Sequence, residues 1–328
     1  MKAMVFRQAH SPLSPEDREV PVPGRYEVRV RVLACAVCRT DLHVQDAELP
    51  NVPYPIVPGH QVVGEVVACG PEAELEIGDR VGVTWLGWAC GQCPDCERGD
   101  ENLCEHAEFT GYHRDGGYAE SLIADSRFCL PIDRKLSAAE TTPLLCAGLI
   151  GFRSLRMAGD AQRIGIYGFG SAAQVITQVA VAQSREIYAF TRPGDTQAQS
   201  FAEEVGAVWA GDSETSTPKV LDAALIFAPV GSLVPKSLRD VRRGGRVICG
   251  GIHMSDIPSF PYADLWGERR IQSVANLTRE DGREFMKIAS ELELRPRITR
   301  YPLEDANRAL DDLRGGAFSG TAVLEPSR

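Results

Sequence analysis

Arg163-Ile164-Gly165-Ile166-Tyr167-Gly168-Phe169-Gly170-Ser171-Ala172-Ala173 is the stretch that decides the fold. A short apolar run of strand character passes directly into G-x-G-x-x-A, and residues 172–182 then carry helical spacing. Gly168 permits a tight turn from strand to helix. Gly170 lets the backbone approach a pyrophosphate, and the small Ala173 lets helix and sheet pack closely. The first turn of the helix, with Ser171 and Ala172, offers free N–H groups to phosphates. Taken without its neighbours the glycine pattern would be only a tight turn; in strand–turn–helix context it predicts dinucleotide binding.

The alternation continues downstream. Residues 186–190, 223–227 and 246–249 read as strands, and residues 197–205 as a helix. This predicts an α/β, Rossmann-type, doubly wound parallel sheet over residues 144–277. Upstream the pattern differs. Short β-rich runs such as Glu27-Val28-Arg29-Val30-Arg31-Val32 and Val62-Val63-Gly64-Glu65-Val66-Val67 lie between Pro- and Gly-rich turns, which predicts a mostly β domain. After residue 277 the chain reads as helix, strand, helix and a last strand. Residues 278–328 are therefore expected to rejoin residues 1–143.

The end of the second strand of the nucleotide domain selects the dinucleotide. It reads Tyr188-Ala189-Phe190-Thr191-Arg192. A carboxylate there would bind both ribose hydroxyls of NAD. A hydroxyl and a guanidinium suit a 2′-phosphate better, so Thr191 and Arg192 favour NADP(H) over NAD(H). Asp195 keeps NAD(H) open, and a solvated loop charge is the plain alternative for Arg192.

Cys90-Gly91-Gln92-Cys93-Pro94-Asp95-Cys96 followed by Cys104 gives C-x2-C-x2-C-x7-C. Four soft thiolates this close in sequence suit one closed tetrahedral zinc site. A disulfide pair is the competing reading, and it is disfavoured in a chain whose Met1-Lys2-Ala3-Met4-Val5-Phe6 start lacks the features of a signal peptide. Three further pieces, holding Cys38, His60 and Cys146, are unremarkable singly. Together two thiolates and an imidazole would neutralise Zn2+ and leave a fourth position open, as a catalytic site requires. Cys35, Cys69, Cys129 and Cys249 are expected to be buried thiols.

The 328 residues call for more than one core. A net charge of −10 disfavours nucleic acid or an anionic membrane as the main partner. No apolar run is long enough to span a bilayer, so a cytoplasmic location is expected.

These motifs in this order resemble the zinc-dependent medium-chain alcohol dehydrogenase family, in its shorter microbial form. The resemblance rests on the four-cysteine lobe, G-H-x3-G at Gly59, His60 and Gly64, C-x-T-D-L-H at 38–43, L-C-A-G at 145–148 and the nucleotide turn. It covers essentially the whole chain. It implies a GroES-like catalytic domain and two zinc ions per subunit. One would be held by Cys38, His60 and Cys146, the other by Cys90, Cys93, Cys96 and Cys104. It implies that Thr40 takes the alcohol proton, that His43 passes it outward through the nicotinamide ribose, and that Asp41 orients His60. Arg39 would meet the cofactor pyrophosphate, while Leu49, Trp85 and Tyr112 would wall the substrate pocket. The substrate would be a small alcohol or aldehyde, and the assembly a homotetramer or homodimer.

The chain departs from the family pattern at a few places. Gln61 stands where a glutamate is usual, Ile150 where a threonine often lies beside the nicotinamide, and Ser319-Gly320-Thr321 where an arginine helps hold cofactor phosphate. Leu49 replaces a bulky aromatic residue, which predicts a pocket open to longer or branched alcohols. Other readings are a polyol or secondary-alcohol dehydrogenase, a zinc-free quinone reductase of the same fold, and a nucleotide-binding scaffold without catalysis. The complete zinc ligand sets argue against the last two.

Overall fold

A computed structural model describes residues 1–318 and 320–327; Ser319, named above, lies outside the described residues. The chain forms two compact units, Met1–Cys146 with Leu277–Arg328, and Ala147–Asn276.

The first unit is built on a long strand, Glu27–Ala36. Its valines at 28, 30 and 32 alternate inward while Arg29 and Arg31 point out, the period-two pattern of a half-buried strand. Antiparallel to it run Val62–Cys69, Ser121–Asp125 and the C-terminal Thr321–Glu325. The sheet continues through Arg80–Val83 and Leu130–Pro131 on one side and Ile298–Pro302 on the other. The pairing of Val323 and Leu324 with Ala36 and Cys35 ties the end of the chain into this unit.

The second unit is a six-stranded parallel sheet. Its order is Trp209–Asp212, Glu186–Thr191, Arg163–Tyr167, Leu221–Ile226, Val241–Cys249, Arg270–Ser273. Counted along the chain this is 3-2-1-4-5-6, so the order reverses beside Arg163–Tyr167 and the Gly168 turn lies at the switch point. The helix Ser171–Ala182 buries Ala173, Val175, Ile176, Val179 and Ala180. Gly151 of the helix Ala147–Ala158 lets the two helices approach, because a Cβ there would lie 3.1 Å from that of Ile176. Inside the unit, Tyr167 stacks on Phe190 at 4.2 Å and donates its hydroxyl hydrogen bond to Asp240, which also pairs with Lys236 at 2.5 Å. That paired network keeps a buried carboxylate satisfied and pins the helix Leu233–Asp240 to the sheet.

Two expectations need correction. The first unit runs through Cys146, not 143, and resumes at Leu277. Leu145 packs over Gly82, and Cys146 turns its sulfur toward Cys38 and His60, so residues 144–146 belong with the β domain. Cys69 is exposed, unlike the buried Cys35, Cys129 and Cys249. It ends a strand whose inward alternation has already run out. No helix among the described residues is long and apolar enough to cross a membrane.

Candidate active site

The site begins with the helix Arg39–Gln45. Cys38 is its N-cap, and the Asp41 carboxylate at N3 reaches back to accept the Cys38 backbone N–H at 2.8 Å. This capping-box geometry fixes Asp41 under the turn, where it is 1% exposed. The same carboxylate accepts hydrogen bonds from the Tyr118 hydroxyl at 3.0 Å and the Gly59 N–H at 3.2 Å, and it stands 3.4 Å from His60 Nδ1. Gly59 is required here. It has φ +97°, and a Cβ would meet the Tyr118 ring at 2.4 Å and Cys35 Sγ at 2.8 Å.

With Nδ1 facing Asp41, His60 Nε2 is buried and makes no hydrogen bond. The Cys38 and Cys146 sulfurs and one ring nitrogen of His60 all lie within 4.8 Å of one another. An orphaned buried nitrogen beside two thiols is costly unless a cation completes it. The donor set of two sulfurs and one imidazole suits zinc. Cys146 donates a hydrogen bond that, against the cost of burial and with help from His60, holds Cys38 well below the usual thiol range. Cys146 itself is pushed well up by that pairing and by burial. Burial would lower His60, but Asp41 and Cys38 outweigh it and raise it to about 10. Without a cation the cluster thus stores protons, and binding one must release them.

Thr40 is buried, with Oγ1 3.7 Å from the Cys38 sulfur. His43, one turn along, pairs through Nδ1 with Glu48. Trp85 sets its edge against the His60 ring at 5.1 Å and stacks on Phe109 and Tyr112. The Tyr112 hydroxyl donates to the Pro50 carbonyl, tying this stack to the loop that carries the half-buried Leu49. Gln61 is buried with a side-chain oxygen that makes no hydrogen bond. Arg39 is exposed, and Ile150 is partly exposed on the helix Ala147–Ala158.

The four-cysteine lobe is a second cluster. Cys90 lies 3.6 Å from Cys104 and 3.9 Å from Cys96, sulfur to sulfur, and no disulfide forms. Tetrahedral zinc with bonds of about 2.3 Å places its sulfurs roughly 3.8 Å apart, so the four thiols are spaced as ligands. Gly91 and Gly99 take positive φ to make the knuckle. Backbone N–H groups of Gln92 and Cys93, with the Cys104 thiol, bring Cys90 down to about 6 against the effect of burial. The lobe is locked to the helix Arg279–Glu291 by Glu101, which accepts from the Arg279 backbone at 2.9 Å and its guanidinium at 2.8 Å.

In the second unit, Gly168 has φ +92°, and a Cβ there would touch Ala228 at 2.8 Å. Gly170 caps the helix, with open space where a Cβ would stand, and Ala173 is buried against the sheet. That is the shape a phosphate cradle needs. Thr191 is 2% exposed, and its hydroxyl, which donates to the Arg192 and Gly211 carbonyls and accepts from Gln199, braces the sheet end. Arg192 keeps a side chain 90% exposed, 3.3 Å from Asp195. Asp195 caps the helix Thr196–Glu204 through the Ala198 N–H, so that carboxylate is already committed.

Sequence reasoning missed Tyr118, Phe109, Glu48 and Glu101. Glu48 lies just past the motif at 38–43 and Glu101 within the four-cysteine run; Tyr118 and Phe109 reach their partners from elsewhere along the chain.

A β unit carrying two thiol-rich clusters spaced as metal ligands, and a parallel sheet with a phosphate-binding turn, have the parts of a zinc-dependent dehydrogenase. The profile of the alcohol dehydrogenase GroES-like domain matches residues 24–134. The chain is 44% identical over 322 residues to a Mycobacterium tuberculosis protein described as "Probable alcohol dehydrogenase AdhA", covering 95% of this chain and 92% of that one. It is 35% identical to an alcohol dehydrogenase of Geobacillus stearothermophilus over 99% of both chains. A thermostable alcohol dehydrogenase from Pyrobaculum aerophilum, solved with cobalt and zinc, shares the fold at a TM-score of 0.90 and 24% identity, over 99% of both chains. The chain belongs to the zinc-dependent medium-chain alcohol dehydrogenase family.

Proposed function

We propose that this alcohol dehydrogenase binds two zinc ions per chain and moves hydride between a small alcohol or aldehyde and NADP(H), in the cytoplasm and as a homo-oligomer. The observation that carries the reading is the buried His60 beside two cysteine sulfurs, its Nδ1 3.4 Å from Asp41 and its Nε2 without a hydrogen bond. When bound, zinc supplies the electrophile that lets an alcohol oxygen lose its proton near neutral pH, and the nicotinamide supplies the hydride acceptor.

The chain's own residues do the rest. Cys38, His60 and Cys146 are the proposed ligands of that ion, and Cys90, Cys93, Cys96 and Cys104 hold the structural one. Asp41 keeps His60 in the tautomer with Nδ1–H, so Nε2 has the lone pair. The Thr40 hydroxyl accepts the substrate proton beside Cys38, and His43 hands it onward. Trp85 and its stacked partners Phe109 and Tyr112 exclude water from the His60 side, and Leu49 leaves room for a longer chain. Gly168, Gly170, Ser171, Ala172 and Ala173 cradle the pyrophosphate, and Arg39 is a proposed cofactor contact of the β unit. Selection for NADP(H) falls to Arg192, with Thr191 in a bracing role. The open edge of Arg270–Ser273 offers a second copy a strand to pair with.

Initial rates with NADPH and NADH on a medium-chain aldehyde, before and after chelation, test this. Chelator-sensitive turnover that prefers NADPH is expected, and Arg192→Ala should raise the KM for NADPH about tenfold while sparing NADH. Turnover indifferent to zinc removal would overturn the zinc reading. Preference for NADH would overturn the role of Arg192 alone.

A further inference from the structure

The helix Arg39–Gln45 ends in a tight reversal. Asp46 bonds back to the Leu42 carbonyl at 2.8 Å and Ala47 to that of Val44. Ala47 then takes φ +52°, a left-handed conformation that alanine adopts only at a cost. The Glu48 N–H returns to the His43 carbonyl at 3.0 Å, and its carboxylate closes on His43 Nδ1. The loop is tied down from outside. Arg314 on the helix Ala306–Gly315 grips Asp46 with two bonds of 2.7 and 2.9 Å and the Gln45 side chain with a third at 3.0 Å.

We propose that Glu48 is a positioning residue for His43: it orients the ring and fixes its proton on Nδ1, so that Nε2 is the nitrogen that accepts the relayed proton. The inference rests on the proton-relay reading above. A neutral imidazole has one donor and one acceptor nitrogen, and the bond made by one decides the role of the other. A relay needs that choice made in advance, because a ring held in the wrong tautomer offers N–H where a lone pair is required. The strained Ala47 and the Arg314–Asp46 clamp keep Glu48 in place although its side chain is 44% exposed.

Other charged groups lie near the pair, and Arg314 also feels the Glu48 charge. Asp46 and Arg314 neutralise each other, and Asp41 is engaged by Cys38, Tyr118, Gly59 and His60. Arg39 begins the same helix, Asp311 lies beside Arg314, and His10 and Tyr54 reach the helix end through backbone atoms of Gln45 and Val44. Glu48 is in direct contact with the ring.

The test uses full-length protein with isotope-labelled histidine, without cofactor, and Glu48→Gln and Glu48→Ala variants; His43→Gln identifies the signal among the six histidines. In the wild type the neutral His43 ring should show protonated Nδ1. In both variants the tautomers should mix. In alcohol oxidation kcat should fall about threefold to tenfold, with the KM for alcohol within twofold. An unchanged tautomer in both variants overturns the inference, as does protonated Nε2 in the wild type. A wild type with protonated Nδ1 that oxidises no alcohol would overturn the relay reading on which it rests.

Discussion

Asp41→Asn is the most informative single change in the catalytic cluster, because one buried carboxylate serves four partners. Its oxygens accept from Cys38 N–H at 2.8 Å, Tyr118 hydroxyl at 3.0 Å and Gly59 N–H at 3.2 Å, and face His60 Nδ1 at 3.4 Å. An amide is the same size but has one acceptor oxygen, so it must turn its NH2 toward one pair. Facing Cys38 and Tyr118, it meets a backbone N–H that has lost its acceptor; the tyrosine can rotate to accept, the backbone cannot. Facing Gly59 and His60, it leaves the Gly59 N–H unpaired and donates to His60 Nδ1. That moves the ring proton to Nε2 and removes the lone pair from the metal side. Either choice orphans one buried donor, at about 1–3 kcal/mol, and weakens the remaining bonds by removing their charge assistance. The expected loss of stability is about 2–4 kcal/mol. Zinc affinity at this site should fall about 10- to 100-fold, as when a partner of a metal-binding histidine is removed. Urea denaturation and competition for zinc with a chromophoric chelator measure the two effects separately. A variant with wild-type stability and wild-type zinc affinity would refute the claim that Asp41 holds the histidine and the turn together.

Gly59→Ala and Gly78→Ala share a backbone φ of +97°, but only the first meets neighbours, since nothing lies within 4 Å of a Cβ at Gly78. Gly59→Ala should cost about 3 kcal/mol or more and Gly78→Ala about 1 kcal/mol; equal shifts in thermal midpoint would mean that crowding at Tyr118 is unimportant. Cys104→Ser should lower the zinc content from two ions per chain to one by elemental analysis and loosen the lobe, with faster protease cleavage near Gly99; two retained ions would contradict the four-sulfur assignment. Asp222 sits at the start of the parallel sheet, where burial opposes its charge but the Arg163 and Gln162 N–H groups and the Arg242 guanidinium outweigh it and hold its pKa low. A depressed carboxylate stabilises the fold above its unfolded pKa of about 3.9 and loses that contribution as pH falls through the lower folded value. Asp222→Asn should therefore flatten the acid-side decline in denaturation midpoint, and an unchanged slope would remove Asp222 as its source.

Much of the architecture was legible because it depends on local rules. The strand Arg163–Tyr167, the turn at Gly168 and the helix Ser171–Ala182 stand where the apolar run and glycine spacing place them. Four cysteines within fifteen positions can meet only by a local knuckle, and their sulfurs do meet. The direction of a single side chain was less legible. Thr191 has the right chemistry for a phosphate, yet pairing of its strand with Trp209–Asp212 sets its hydroxyl beside the Gly211 carbonyl. Cys69 has the composition of a core thiol but lies at a fraying strand end.

The sequence by itself determined the two kinds of domain, the phosphate-binding turn, the four-thiol lobe and the family. Each is carried by residues within one or two turns or strands, where spacing and geometry are nearly the same thing. Tertiary structure alone decided that residues 144–146 stay with the β unit, that Tyr118 braces Asp41, and that Glu48 closes on His43. Those contacts depend on strand register and on the direction in which a helix end reverses. Burial energy summed over the whole sheet fixes them, and no short stretch of residues records it.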